Sequence, residues 1–95
     1  MLRQREIKKR NKRNNFQIYS VILEFCRQSK RKSPIVYKCN LNFKVVDDYL
    51  RELIKWDLLN HDDPFYKTTT KGLKWAIQFN KLLELMDWDP KLWPK

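Results

Sequence analysis

Asn40-Leu-Asn-Phe-Lys-Val-Val-Asp-Asp-Tyr-Leu-Arg-Glu-Leu-Ile-Lys-Trp-Asp-Leu-Leu59 decides how this chain folds. The stretch opens on a polar turn, continues as an amphipathic segment and breaks at Asp57 before an apolar pair. Phe43, Val46, Tyr49, Leu50, Leu53 and Ile54 recur at steps of three, four and one, which puts them on one face of a helix. Asn42 is placed to cap that helix, because its side-chain oxygen can accept from a free N–H of the first turn. Lys44, Asp47, Asp48, Arg51, Glu52 and Lys55 fall on the outer face. Val45 falls with them, an unusual position for a valine.

Upstream, Asn14 or Asn15 can cap a helix over roughly 15–28. Phe16, Tyr19, Val21, Ile22, Leu23, Phe25 and Cys26 give it the broad apolar face of a first core helix. Gln28-Ser-Lys-Arg-Lys-Ser33 then reads as a polar, basic loop. Ser33-Pro34 predicts a helix start, with Ser as cap and Pro at the first position, where a missing N–H costs nothing. That short helix carries Ile35, Val36 and Tyr37 and ends near Cys39-Asn40, with Asn40 suited to a left-handed turn. Leu41 is expected to plug the space between the two helices. A short helix, a three-residue turn and the central amphipathic helix together predict a helix-turn-helix.

Downstream, Leu58-Leu-Asn-His61 and Phe65-Tyr-Lys-Thr68 flank the turn-forming Asp62-Asp-Pro64, the pattern of a β-hairpin. His61 is the single histidine; beside two aspartates it lacks enough ligands for a metal. Thr69 is the best cap for a last helix running from about 70 to 87. On it Leu73, Ala76, Ile77 and Leu83 form one stripe, and Trp75, Phe79, Leu82 and Met86 another at four-three-four spacing. One stripe can close the chain's own core, which leaves the second as a candidate dimer seam. A compact domain that buries both stripes is the competing expectation. Trp88-Asp-Pro-Lys-Leu-Trp-Pro-Lys95 is too rich in proline to continue the helix.

Ninety-five residues suffice for one domain with a modest core. The expected fold class is mainly α with a small β-hairpin (α+β). It divides into a basic arm over 1–13, a core over 14–68, a last helix over 69–87 and a Trp/Pro tail over 88–95. No apolar run approaches the roughly 20 residues that span a bilayer, and the charged N-terminus is no secretory signal. Retention in the cytoplasm, at the nucleoid, is the resulting expectation. Cys26 and Cys39 sit among apolar neighbours and read as small buried hydrophobes. The net charge of +10 is concentrated: residues 1–38 hold twelve Lys/Arg against two acids, residues 39–95 nine of each. Such asymmetry points to a polyanionic partner.

Several segments resemble a known family. Val36-Tyr-Lys-Cys-Asn-Leu-Asn-Phe-Lys44, Tyr49-Leu-Arg-Glu-Leu-Ile54, Leu58-Leu59, Phe65-Tyr66 and Thr69-Thr-Lys-Gly72 look like the corresponding segments of small archaeal winged helix-turn-helix proteins. The resemblance covers about residues 14–87 and implies a winged helix with an extra C-terminal helix. Members of that family include DNA-binding chromatin proteins that dimerise through an antiparallel coiled coil of the last helix. Asp57 stands where the family has a glycine before the hairpin, the last helix is shorter, and arm and tail lie outside the match.

From the resemblance, the expected partners are duplex DNA and a second copy of the chain, through Trp75, Phe79, Leu82 and Met86. In a winged helix the second helix of the turn motif enters the major groove. Asn42, Lys44, Val45, Asp48 and Arg51 are then the candidates for base contact, Val45 against a thymine methyl. Arg3, Arg5, Lys8, Lys9, Arg10, Lys12 and Arg13 of the arm are the candidates for phosphate contact, with Lys30, Arg31 and Lys32 of the loop and Lys67 of the wing. No cofactor, metal or small-molecule ligand is expected. The sequence holds no nucleophile–base pair and no metal cluster, which argues against an enzyme. A winged helix that binds proteins and not DNA is the alternative. RNA binding is disfavoured by the lack of an aromatic ribonucleoprotein motif.

Overall fold

The structure, a computed structural model, describes residues 15–86. The basic arm and the Trp/Pro tail read from the sequence lie outside the described residues. Among the described residues, four helices and one hairpin follow in the order α1 (Asn15–Phe25), α2 (Lys32–Cys39), α3 (Phe43–Lys55), β1 (Leu59–Asp62), β2 (Phe65–Thr68) and α4 (Thr70–Leu85). The architecture is mostly helical with a two-stranded antiparallel sheet, as the sequence predicts.

α1 is the hub, touching α2, α3, α4 and β2. Ile18, Tyr19, Ile22, Leu23 and Cys26 come from it and from the turn after it. They meet Ile35, Val36 and Cys39 of α2, then Val46, Leu50 and Leu53 of α3. Leu58, Leu59, Tyr66 and Ala76 close the core on the hairpin side. Both thiols are wholly buried and no disulfide links them, so Cys26 and Cys39 fill the core as small apolar groups. Burial pushes the Cys26 thiol up to about 12.

Local chemistry sets most boundaries. Asn42 holds extended backbone at φ −83°, and its Oδ1 accepts the Val45 N–H at 2.8 Å, the cap that starts α3. Asn40 sits in the left-handed region at φ 59° and ψ 44° and ends α2, its N–H donating to the carbonyls of Val36 and Tyr37. Asp57 also has positive φ, 64°. Its N–H donates to the Ile54 carbonyl at 3.0 Å and the Leu58 N–H to the Leu53 carbonyl at 2.9 Å. That crossed pair, with Leu53 and Leu58 both buried, is a Schellman ending, which normally favours glycine at the Asp57 position. Thr69 caps α4 by accepting the Gly72 N–H at 2.9 Å.

Three expectations shift. α1 stops at Phe25 and not near 28, because the chain beyond it turns to pair with β2. Lys30 and Tyr66 exchange both backbone bonds (3.0 and 2.8 Å), and Thr68 N–H donates to the Cys26 carbonyl at 2.9 Å. The segment read as a polar, basic loop thus also covers the outer edge of β2. α2 begins at Lys32 with Arg31 at its cap position and no side-chain cap bond, so Ser33 is not the cap. Pro34 is the third helical residue, still among the first-turn positions whose N–H has no partner within the helix. Phe43, counted as inward, is 55 % exposed, because a first helical residue points back past the helix end and off the core.

Candidate nucleic-acid interface

On the outer face of α3, Asp47, Asp48 and Arg51 are held in ion pairs. Lys32 at the start of α2 forms an ion pair with Asp47, and each holds the other charged: the hydrogen bond to Asp47 raises the Lys32 pKa, and the bond from Lys32 lowers that of Asp47. Arg51 reaches Asp48 at 2.5 Å and Asp47 at 4.0 Å. All of these side chains are substantially exposed, so the pairs add little stability. Their consequence is electrostatic: Asp47 and Asp48 are offset by cations from within the chain. Lys44 and Lys55 are exposed and hold no ion pair among the described residues. Asn42 is exposed too; with Oδ1 taken by the cap, its amide N–H groups remain to donate outward. Val45, expected outward, is half-buried, in a shallow depression with Asp48, Tyr49 and Arg51.

The cations beside the hairpin are held differently. Lys30 Nζ lies 4.8 Å above the Phe25 ring and donates to the Gln28 carbonyl at 3.3 Å. Lys38 approaches the same ring at 5.8 Å, and Arg31 lies 5.1 Å over Phe65. Lys67 Nζ donates to the Arg27 carbonyl at 3.2 Å. An aromatic face or a carbonyl orients a cation without cancelling its charge. Lys30, Arg31, Lys38 and Lys67 therefore present their positive charge without a carboxylate beside it, whereas those of Lys32 and Arg51 are offset by Asp47 and Asp48. At the hairpin, His61 stacks on Tyr66 with centroids 4.1 Å apart, 3.6 Å from Asp63.

The structure thus brings Asn42, Lys44, Val45, Asp48 and Arg51 together on α3, and Lys30, Arg31 and Lys67 beside the hairpin. It sets Lys32 between them. Arg3, Arg5, Lys8, Lys9, Arg10, Lys12 and Arg13 lie outside the described residues. Of the four residues read as a dimer seam, Trp75 and Phe79 pack inside the chain. Trp75 stacks on Phe79 at 5.3 Å and meets Phe16 edge-on at 5.9 Å, and Phe79 is buried. Leu82 and Met86 stay exposed, as do Ile77 and Leu85. Among the described residues no His, Cys, Asp and Glu side chains converge as a metal site, and no helix is long and apolar enough to cross a membrane.

A family model described as winged helix-turn-helix matches residues 12–87. The chain belongs to the winged helix-turn-helix family. Among solved structures, it is similar to the crystal structure of Sso10a-2, a DNA-binding protein from Sulfolobus solfataricus. The TM-score is 0.71 with 23 % identity, over 79 % of this chain and 83 % of that one, a likeness of fold. No curated protein matches the chain. In this winged helix, α2, the Asn40–Asn42 turn and α3 are the helix-turn-helix, and β1–β2 is the wing. The resemblance to small archaeal winged-helix proteins read from the sequence holds.

Two features of the winged helix were not read in the sequence. Lys38 was not singled out, and only the fold brings it to Phe25. The Lys32–Asp47 pair joins residues fifteen apart on different helices, beyond any periodicity signal.

Proposed function

We propose that the chain binds duplex DNA, as a transcriptional regulator or a chromatin-associated protein, and is not an enzyme. In this reading α3 enters the major groove, where Asn42 and Lys44 meet base edges and Val45 meets a thymine methyl. The cations held on neutral partners, Lys30, Arg31 and Lys67, contact the backbone together with the basic residues of 1–13. Asp48 and Arg51 reach bases only if their mutual pair opens, so they tune selectivity and add little affinity. Membership of the winged-helix family supports the reading, as does the DNA-binding protein whose fold is similar. The observation that carries it is the division of charge: a reading helix neutralised by its own pairs beside cations whose charge stays uncancelled.

The second part of the proposal is a homodimer through α4. Trp75 and Phe79 are committed to the chain's own packing, so the seam rests on Leu82 and Met86, flanked by Leu85 at 83 % exposure. Light scattering of the full chain, with Leu82→Glu as the disrupting variant, tests it; a monomeric mass for the unsubstituted chain refutes it.

Val45→Glu tests groove reading. It places a carboxylate against the base edges and is expected to weaken a selected site more than random duplex, each measured by anisotropy. Equal losses on both remove α3 from sequence selection. One feature favours a protein partner instead: Tyr37, beside the turn, is 83 % exposed, an aromatic anchor with no ring partner among the described residues. Under that reading the unsubstituted chain shows no DNA retention even at low salt.

A further inference from the structure

A half-open cavity of about 360 Å³ lies where α1, the end of α3 and the start of α4 meet. Four aromatic side chains wall it: Phe16 and Tyr19 of α1, Trp56 at the end of α3 and Trp75 of α4. Its two charged lining residues are Glu52 and Lys71. Each precedes one of the tryptophans by four residues, so α3 and α4 each bring a charge and an indole to one face. Tyr19 donates its hydroxyl to Glu52 Oε1, which fixes the carboxylate and leaves its second oxygen for another donor. Lys71 Nζ donates to the Trp56 carbonyl at 3.0 Å, one helical turn beyond Glu52, and retains two further N–H groups. Glu52 and Lys71 form no ion pair with each other.

Trp56 is 58 % exposed and makes no ring contact among the described residues, so one indole face is open to the cavity. The volume is near the lower end for small-molecule sites, room for one compact ligand. A purely cationic ligand would meet Lys71, and a purely anionic one Glu52. A molecule bearing both charges answers both, and an aromatic ring attached beside them matches the walls.

We propose that this cavity binds a small aromatic zwitterion, an aromatic α-amino acid, with its ammonium on Glu52, its carboxylate on Lys71 and its ring against Trp56 and Trp75. The assignment stands on the cavity alone and does not depend on DNA binding. Because Glu52 and Trp56 end α3, the ligand would rest against the helix assigned above to the groove.

The test uses the full ¹⁵N-labelled chain, with indole N–H signals assigned through Trp56→Phe and Trp75→Phe. Three probes are titrated separately: phenylalanine, phenethylamine and 3-phenylpropanoate. Phenylalanine is expected to shift the Trp56 and Trp75 signals saturably with a Kd of about 1 mM or tighter, and each singly charged analogue to bind about 10-fold more weakly. Glu52→Gln, which keeps an acceptor for Tyr19, and Lys71→Met are each expected to weaken phenylalanine about 10-fold. If a variant does not fold, the analogue series on the unsubstituted chain decides. The proposal is overturned by no saturable shift, by shifts confined to the Trp88 and Trp93 indoles, or by an analogue that binds as well as phenylalanine.

Discussion

Replacing Gly72 by alanine tests how α4 is set against the wing. Gly72 is the chain's single glycine and the third residue of α4, where nothing about its backbone conformation demands glycine. Space demands it. A Cβ there would lie 2.1 Å from the Leu58 carbonyl oxygen and 2.7 Å from Thr68 Cγ2, where ordinary contact begins at 3.4 Å. The first gap has to open by about 1.3 Å, and the obstructing atom is backbone. That same oxygen accepts the Thr69 N–H at 3.1 Å, so moving it also loosens the join between α4 and the start of the wing. Overpacking of this kind costs about 1–3 kcal/mol, and a weakened hydrogen bond adds about 1 kcal/mol. Against this, alanine gains up to about 1 kcal/mol of helix propensity. With the full propensity gain the net expectation is a loss of about 1–3 kcal/mol, or roughly 5–20 °C in Tm for a domain of this size. Urea unfolding followed by circular dichroism measures it. A neutral or stabilised Gly72→Ala chain would mean that α4 does not cross the Leu58 carbonyl at this distance.

Asp57→Gly is expected to act in the opposite direction. It removes a side chain from a left-handed residue while leaving the Asp57 carbonyl to accept the Thr69 hydroxyl at 2.7 Å, for a gain of about 0.5 kcal/mol after unfolded-state entropy; a loss in urea midpoint contradicts the Schellman ending. Asn42→Ala deletes the α3 cap and should lower stability by about 1 kcal/mol in the same assay, with Asn42→Asp close to the original. Stability should also fall in alkali. Burial pushes Cys26 from 9.0 up to about 12, and burial followed by the Glu52 carboxylate pushes Tyr19 from 10.0 up to about 12. Between those values the unfolded chain has released protons that the folded chain keeps, so rising pH favours unfolding, by at most about 1.4 kcal/mol per pH unit for each group. Urea midpoints should hold through neutral pH and decline from about pH 9 upward; a midpoint that stays level to about pH 11 shows that one or both groups ionise freely in the folded state.

What the sequence disclosed was mostly local. Asn42, Asn40 and Thr69 announce their roles because a cap or a left-handed turn is decided within three or four residues. The inward faces of α3 follow from its period, and Val46, Leu50 and Leu53 are all buried. Reading failed where a distant partner intervened. The end of α1 is set by β2, forty residues on, through Lys30 and Tyr66. The spacing of Trp75, Phe79, Leu82 and Met86 marks an apolar stripe correctly as a stripe, yet cannot say that Phe16 and Tyr19 cover its first half. The interface shows the same limit. Lys30, Arg31 and Lys32 are equivalent letters in a basic run, and only the fold puts the first two over Phe25 and Phe65 and the third against Asp47.

The central claim is that uncancelled cations hold a duplex while a nearly neutral α3 probes it. Anisotropy titration of the full chain against labelled random duplex, over a series of salt concentrations, tests this most directly. The account predicts tight binding in dilute buffer and a log–log decline with a slope of about 0.9 per phosphate neutralised, flattened when residues 1–13 are deleted. A chain that leaves the duplex free even in dilute buffer, or binds it with no dependence on salt, contradicts it.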